Sequence, residues 1–240
     1  MYEPRHYRLW TREKDLVSFN VVVKETDLFI QAKRNLKRKA LEVVSKHRAL
    51  LEGYIARHPG FATTLEPFPV GDDAPYIVRQ MAEAAEKVGT GPMAAVAGAL
   101  AECVGRELLR FTPEIIVENG GDIFLKNVSR RLVGIYTGKP PYSGKIALRI
   151  EPEETPVGVC TSSGTVGHSL SFGKADAAIV ISPSTPLADA AATAIGNLIT
   201  DDDCLEGGIE FAKGIEGLRG VAIIRGDKMA LWGQIKIVRR

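Results

Sequence analysis

Apolar and polar positions first show order across residues 18–32. Phe19 to Lys24 is β-branched around Val21-Val22-Val23, Glu25-Thr26-Asp27 is polar, and Leu28 to Ala32 is apolar again. That pattern predicts a hairpin whose first arm is well buried. Leu36, Ala40, Val43, His47, Leu50 and Tyr54 then recur at helical spacing, which predicts a helix from about Lys33 to His58, stopped by Pro59-Gly60. Residues 59–75 hold Pro59, Pro67, Pro69 and Pro75 among Phe61, Leu65 and Phe68, the mark of a connector that wraps the surface. Further helices are expected over Tyr76–Val88 and over an Ala-rich stretch, Met93 to Leu109, that Gly98 interrupts.

The second half reads mainly as strands. These fall at 114–118 and 122–126 around Asn119-Gly120-Gly121, then at 131–136, 145–151, 156–161 and 176–182. Helices are expected at about 186–199 and 207–214, and the chain ends in a hairpin, Val221 to Arg225 and Met229 to Val238, about Gly226-Asp227-Lys228. Hairpins mixed with helices favour an α+β fold over a doubly wound parallel sheet. No exact repeat and no flexible linker appears, so residues 1–240 are read as a single domain.

Composition narrows the function classes. The formal charge is +2, too small to imply nucleic acid or a membrane surface as partner. The helix from Lys33 to Arg48 carries seven Lys/Arg against Glu42 alone, but lacks interleaved aromatics and is read as a solvated face. No run of about 18 apolar residues occurs and the first residues are charged, so neither a membrane span nor a leader is expected. Cys103, Cys160 and Cys204 are odd in number and widely spaced, which argues for a reducing cytoplasm and against a structural zinc site. The edges of an antiparallel sheet need cover, which a second copy of the chain would supply as a homo-oligomer.

Three segments carry candidate chemistry. Asp189 and Thr193 stand four residues apart in Leu187–Ala194, hence on one face of a small apolar helix. A carboxylate and a hydroxyl so placed suit Mg²⁺, a hard cation held by few carboxylates and often by phosphate oxygens as well. The same acid also suits the first turn of a helix opened by Thr185 and Pro186. Glu118-Asn119-Gly120-Gly121-Asp122 is a hairpin turn by its Asn-Gly pair, and its glycines would let backbone N–H groups approach a ligand. Thr161-Ser162-Ser163-Gly164-Thr165-Val166-Gly167-His168 is a hydroxyl-rich loop that can bind anions or merely connect, and His168 is its acid/base candidate.

Taken together, Val96-Ala97-Gly98-Ala99-Leu100, Val117 to Ile123, Thr161 to Gly164 and Ala188 to Ala194 resemble, in order and spacing, the ApbE-type FAD:protein FMN transferases. Lys24-Glu25-Thr26-Asp27-Leu28, Gly91 to Ala99 and Glu118 to Ile123 are similar to an uncharacterised prokaryotic family classed as ApbE-like, over nearly the whole chain. The resemblance implies an α+β, ApbE-like fold of two related β-α-β halves, largely antiparallel, with packed helices and ligand between the halves. It implies Mg²⁺ at Asp189 and Thr193, and FAD or another phosphate-bearing nucleotide as the small-molecule ligand. The chain departs from the transferases at Ala97, where they carry lysine, and at Gly167 to Lys174, which lacks their Asp-Pro and Thr-Gly. Two functions follow: a Mg²⁺-dependent transferase or hydrolase acting on a flavin or similar nucleotide, or a non-catalytic binding protein that has lost transferase chemistry.

Overall fold

A computed structural model describes residues 15–138, 140–165 and 172–240, apart from the side chain of Asp203. Along the chain run β1 (Val17–Val23), β2 (Thr26–Ala32), α1 (Lys37–Arg57), α2 (Gly60–Thr63), α3 (Tyr76–Val88) and α4 (Val96–Leu108). They are followed by β3 (Ile115–Asn119), β4 (Asp122–Lys126), β5 (Arg131–Gly134), β6 (Ile146–Ile150), β7 (Val157–Ser162) and β8 (Ala177–Ser182). The chain ends with α5 (Thr185–Leu198), α6 (Leu205–Lys213), β9 (Gly220–Arg225), β10 (Lys228–Gly233) and β11 (Ile237–Arg239).

Eight strands form one sheet in the order β1-β2-β3-β4-β7-β8-β9-β10, and three form a second in the order β11-β6-β5. Every pairing is antiparallel. The large sheet is two copies of one plan. In each, a strand pair leads into helices and returns as a second strand pair, and β4 meets β7 at the seam. The β-α-β unit expected in each half is present, with one extra strand on either side. The repeat is topological and leaves no trace as repeated residues.

Alternation along the strands sorts the core into layers, because successive side chains face opposite ways. On β8, Ala178 and Val180 join the core beneath α3, α4, α5 and α6, while Ala177, Ile179 and Ile181 join a separate core under the three-stranded sheet. Val21, Leu28, Ile30, Val117 and Phe124 pack against α1 and α4. Helices thus cover one face of the large sheet, and the small sheet covers the other at β4, β7, β8 and β9.

Several boundaries differ from the sequence expectation, each for a local reason. The first hairpin turns at Lys24-Glu25 rather than at Glu25–Asp27, since Val23 pairs with Thr26 and Lys24 takes a left-handed φ of 52°. The helix expected from Lys33 begins at Lys37, whose N–H bonds the Asn35 side chain at 2.9 Å. The Ala-rich helix runs unbroken through Gly98 after a 3₁₀ turn at Pro92–Ala95. The final strand expected over Met229–Val238 is two strands in different sheets, separated at Gly233, which has a φ of 77°. Among the described residues no single helix is long and apolar enough to cross a membrane.

Candidate functional site

The site is built where α4 and α5 cross. The first N–H groups of a helix lack intrahelical partners and must be satisfied from outside. On α5, Ser184 accepts from the Leu187 N–H at 3.3 Å, Pro186 has no N–H, and the Thr185 N–H donates to Glu102 Oε2 of α4 at 2.7 Å. On α4, no local side chain caps the start, and the Gly98 N–H donates instead to Asp189 Oδ2 of α5 at 2.8 Å. The Ala97 amide bonds the same carboxyl. Each helix therefore supplies, from within its first two turns, the acid that closes the start of the other. Gly98 to Glu102 and Thr185 to Asp189 are both spans of four residues.

The two acids of this clasp differ in their compensation. Glu102 is paired by Arg106, four residues on, with Nε–Oε1 at 2.6 Å. The residue four beyond Asp189 is the half-buried Thr193, which carries no charge. Among the described residues no Lys, Arg or His pairs with Asp189. Asp189 is only 8% exposed, and burial, then the nearby charge of Asp122, push its carboxyl well above the usual range, against the pull of the Gly98 and Ala97 amides. Cys160, fully buried on β7, donates its thiol hydrogen to the Thr185 carbonyl at 3.5 Å and feels the charges of both carboxylates, Asp122 and Asp189. Burial and then those two charges raise its thiol far above the ordinary value, so it is a neutral filler and not a nucleophile.

The other predicted residues fall around this centre at different distances. Gly120 and Gly121 form the two-residue loop between paired Asn119 and Asp122, both with positive φ (72° and 112°), as a type I′ hairpin turn requires. Asn119 and Asp122 face the helices, and Asn119 Nδ2 donates to the Ala97 carbonyl at 3.1 Å. Glu118 precedes Asn119 on the strand and faces the opposite side of the sheet, where it accepts from the Gly121 N–H at 3.1 Å. The Gly164 N–H donates to the Ala175 carbonyl at 2.9 Å. Of the three amides expected to line a ligand, those of Gly120, Gly121 and Gly164, the last two are thus used inside the fold. Ser162 is buried beside Gly196 of α5, while Ser163 is half-buried and Gly164 exposed. His168 lies outside the described residues.

Glycines bring the parts this close. A Cβ on Gly158 would stand 2.5 Å from the Thr185 Cα, so β7 meets the first turn of α5 nearly backbone to backbone. Sequence reading named Asp189 but missed the roles of Glu102, Gly98, Cys160 and Thr185, whose links span 83 and 91 residues for the two caps. The available signal was the shared four-residue spacing between the amide each helix offers and the acid it lends.

Among the described residues, no group of three His, Cys, Asp or Glu side chains forms a protein-only metal cage. Asp189 and Asp122 set two carboxylates near one another, Asp189 with no cationic partner among the described residues, and Thr193 stands one turn beyond Asp189 on α5; oxygen donors of this kind suit a hard cation that draws its remaining ligands from water or a bound molecule.

A family model described as AbpE bacteria matches residues 8–206. The UPF0280 protein of Methanocella arvoryzae is 46% identical over 220 residues, covering 90% of this chain and 89% of that protein. The UPF0280 protein of Methanocaldococcus jannaschii is 41% identical over 221 residues, with 90% of each covered. Among solved structures, the flavinyl transferase ApbE of Pseudomonas stutzeri superposes with a TM-score of 0.57 at 13% identity, covering 90% of this chain and 94% of that one. The flavin transferase ApbE of Vibrio cholerae gives a TM-score of 0.57, 13% identity, and 93% and 96% coverage. At that identity the likeness speaks for the fold. The order of strands, the placement of the helices and these relatives agree that the chain belongs to the UPF0280 family and carries the ApbE-like α+β fold.

Proposed function

We propose that this protein binds a phosphate-bearing nucleotide, a flavin nucleotide foremost, through Mg²⁺ held at Asp189 and Thr193, and acts on it as a transferase or hydrolase. The observation that carries this reading is the unequal compensation of the clasp. Glu102 has its own guanidinium, whereas Asp189 is buried beside a second carboxylate with no cationic partner among the described residues. A buried charge without a partner is costly, and a bound cation removes that cost. The resemblance to flavin transferases supplies the class of ligand.

When bound, Mg²⁺ would draw charge from a pyrophosphate and ease departure of the leaving group. The chain's own residues hold and shape the site. Asp189 is fixed by the Gly98 amide, Asn119 ties the β3–β4 turn to α4 through the Ala97 carbonyl, and Cys160 fills the space behind Asp122. A cytoplasmic setting belongs to this reading, in keeping with three unpaired cysteines.

A second reading is a binding protein without turnover. It is favoured by the neutral Cys160 thiol, the internal use of the Gly121 and Gly164 amides, and alanine at position 97. Incubation of the protein with FAD and Mg²⁺, followed by chromatography of the nucleotide, separates the two. AMP release abolished by Asp189→Ala supports the enzyme, and Mg²⁺-dependent retention of intact FAD supports the binder. Absence of both retention and release, with FAD and with ATP, sinks the nucleotide reading.

A further inference from the structure

We propose that Glu102 is the positioning residue of the Asp189 site: by holding the Thr185 N–H it fixes the first turn of α5, and with it the place of the Asp189 carboxylate. The inference rests on the cation reading above and names the part of the protein that makes the cation position possible.

The argument starts at the open end of α5. Thr185 occupies the first helical position and Pro186 the second, so the Thr185 N–H is the only donor there that Ser184 leaves unserved. Its acceptor is Glu102, 6% exposed, at 2.7 Å. Asp189 lies one turn along the same helix, so any shift of Thr185 is carried rigidly to Asp189. The contact has almost no slack. A Cβ on Gly98 would stand 2.6 Å from the Thr185 carbonyl oxygen, and a Cβ on Gly158 would stand 2.9 Å from Thr185 Oγ1. Thr185 is wholly buried, wedged between α4 and β7.

Glu102 must remain an acceptor for this role, and Arg106 keeps it one. The Arg106 guanidinium bonds the other carboxyl oxygen at 2.6 Å and lies over the Phe124 ring at 5.6 Å. A charge-assisted bond of this kind holds the carboxylate in one orientation, with Oε2 aimed at Thr185. Arg106 also prevents Glu102 from drawing a cation to itself. Of the two matched acids, one orders the helix and the other is left for the ligand. A residue that acts by orienting a metal ligand typically changes metal affinity about 10–100-fold when removed.

The test uses the full-length protein and Mn²⁺ as an oxygen-seeking probe, followed by calorimetry and by thermal melting with and without the metal. In the expected result wild type binds Mn²⁺, Asp189→Ala does not, and Glu102→Ala binds at least about 10-fold more weakly. Glu102→Gln, whose single amide oxygen can serve Thr185 only by giving up Arg106, loses less affinity than Glu102→Ala. Ile181→Val, in the core under the small sheet, lowers the melting temperature and leaves Mn²⁺ affinity unchanged. If Glu102→Ala does not fold, Glu102→Asp, one methylene too short to reach Thr185, takes its place with the same expected loss. Wild-type affinity in Glu102→Ala or Glu102→Asp overturns the positioning role alone. Failure of wild type to bind Mn²⁺, or undiminished binding by Asp189→Ala, overturns the cation site and the positioning role with it.

Discussion

Gly98 and Asp189 meet with no room between them: a Cβ built on Gly98 would stand 2.9 Å from the Asp189 Cβ. The glycine is there because another helix is in the way, not because the chain must bend, since α4 runs straight through it.

Gly98→Ala should therefore destabilise the protein by about 1–3 kcal/mol, the usual effect of overpacking, although alanine favours helix. Urea unfolding of the variant measures this directly. A variant as stable as wild type would mean that α4 and α5 can separate freely, which the reciprocal caps do not allow.

Asp189→Asn should raise the stability of the metal-free protein near neutral pH. Asparagine keeps an oxygen for the Gly98 N–H and removes the repulsion from Asp122. The sign follows from linkage. A carboxyl whose folded pKa lies above its unfolded value of 3.8 binds extra protons in the folded state, so its contribution is fullest below that value and is lost as pH rises through the folded pKa. The advantage of Asp189→Asn over wild type should grow as pH rises from about 4, the ordinary aspartate range, and vanish on adding saturating Mg²⁺. Thermal melts across pH, with and without the metal, read both effects. An advantage that shrinks with rising pH is the contrary result.

Arg131→Met should destabilise by about 3–5 kcal/mol, the range for breaking one side of a buried pair. Arg131 is 5% exposed and bonds both the fully buried Glu114, before β3, and Asp15, before β1. Its hydrogen bond, followed by that of Lys33, holds the Asp15 carboxyl well below the ordinary range. A depressed pKa contributes stability above 3.8 that is lost only as pH falls below it, so the variant should also begin to unfold at a higher pH during acid titration. Circular dichroism during acid titration distinguishes this from a neutral surface change.

The basic helix should not retain double-stranded DNA at physiological salt. Lys39 pairs with Glu42 at 2.9 Å, Lys46 with Glu107 at 2.9 Å, and Arg48 with Glu25 and Glu52 at 2.6 and 2.8 Å. Glu42 and Glu52 on α1 itself, and Glu25 and Glu107 from elsewhere in the chain, thus meet its charge. Filter binding with a steep salt slope would contradict this, because phosphate contacts release counterions.

How much was legible depends on the range of each interaction. The Tyr76–Val88 helix could be read to the residue because its signals are local: Pro75 before it, helical spacing within it, and left-handed Gly89 with a φ of 70° after it. The placing of Asp189 and Thr193 on one helix was legible for the same reason. The second sheet was not, because Val238 pairs with Ala147 across four strands and two helices, and nothing in either segment names the other. The caps on α4 and α5 were hidden in the same way. Asp189 looked like an acid in the first turn of its own helix, and the structure uses it to begin a different one.

The reciprocal caps make each half of the chain a reagent for the other. Val128, Ser129 and Arg130, between β4 and β5, are exposed, and a backbone cut there severs neither cap. One fragment would hold α4 without the acid that opens it, and the other α5 without Glu102. Separately, each would lack an essential partner at its central helix. Mixed, they would restore both starts in a single event, and the surroundings of Asp189 would form only when the two pieces recognise each other.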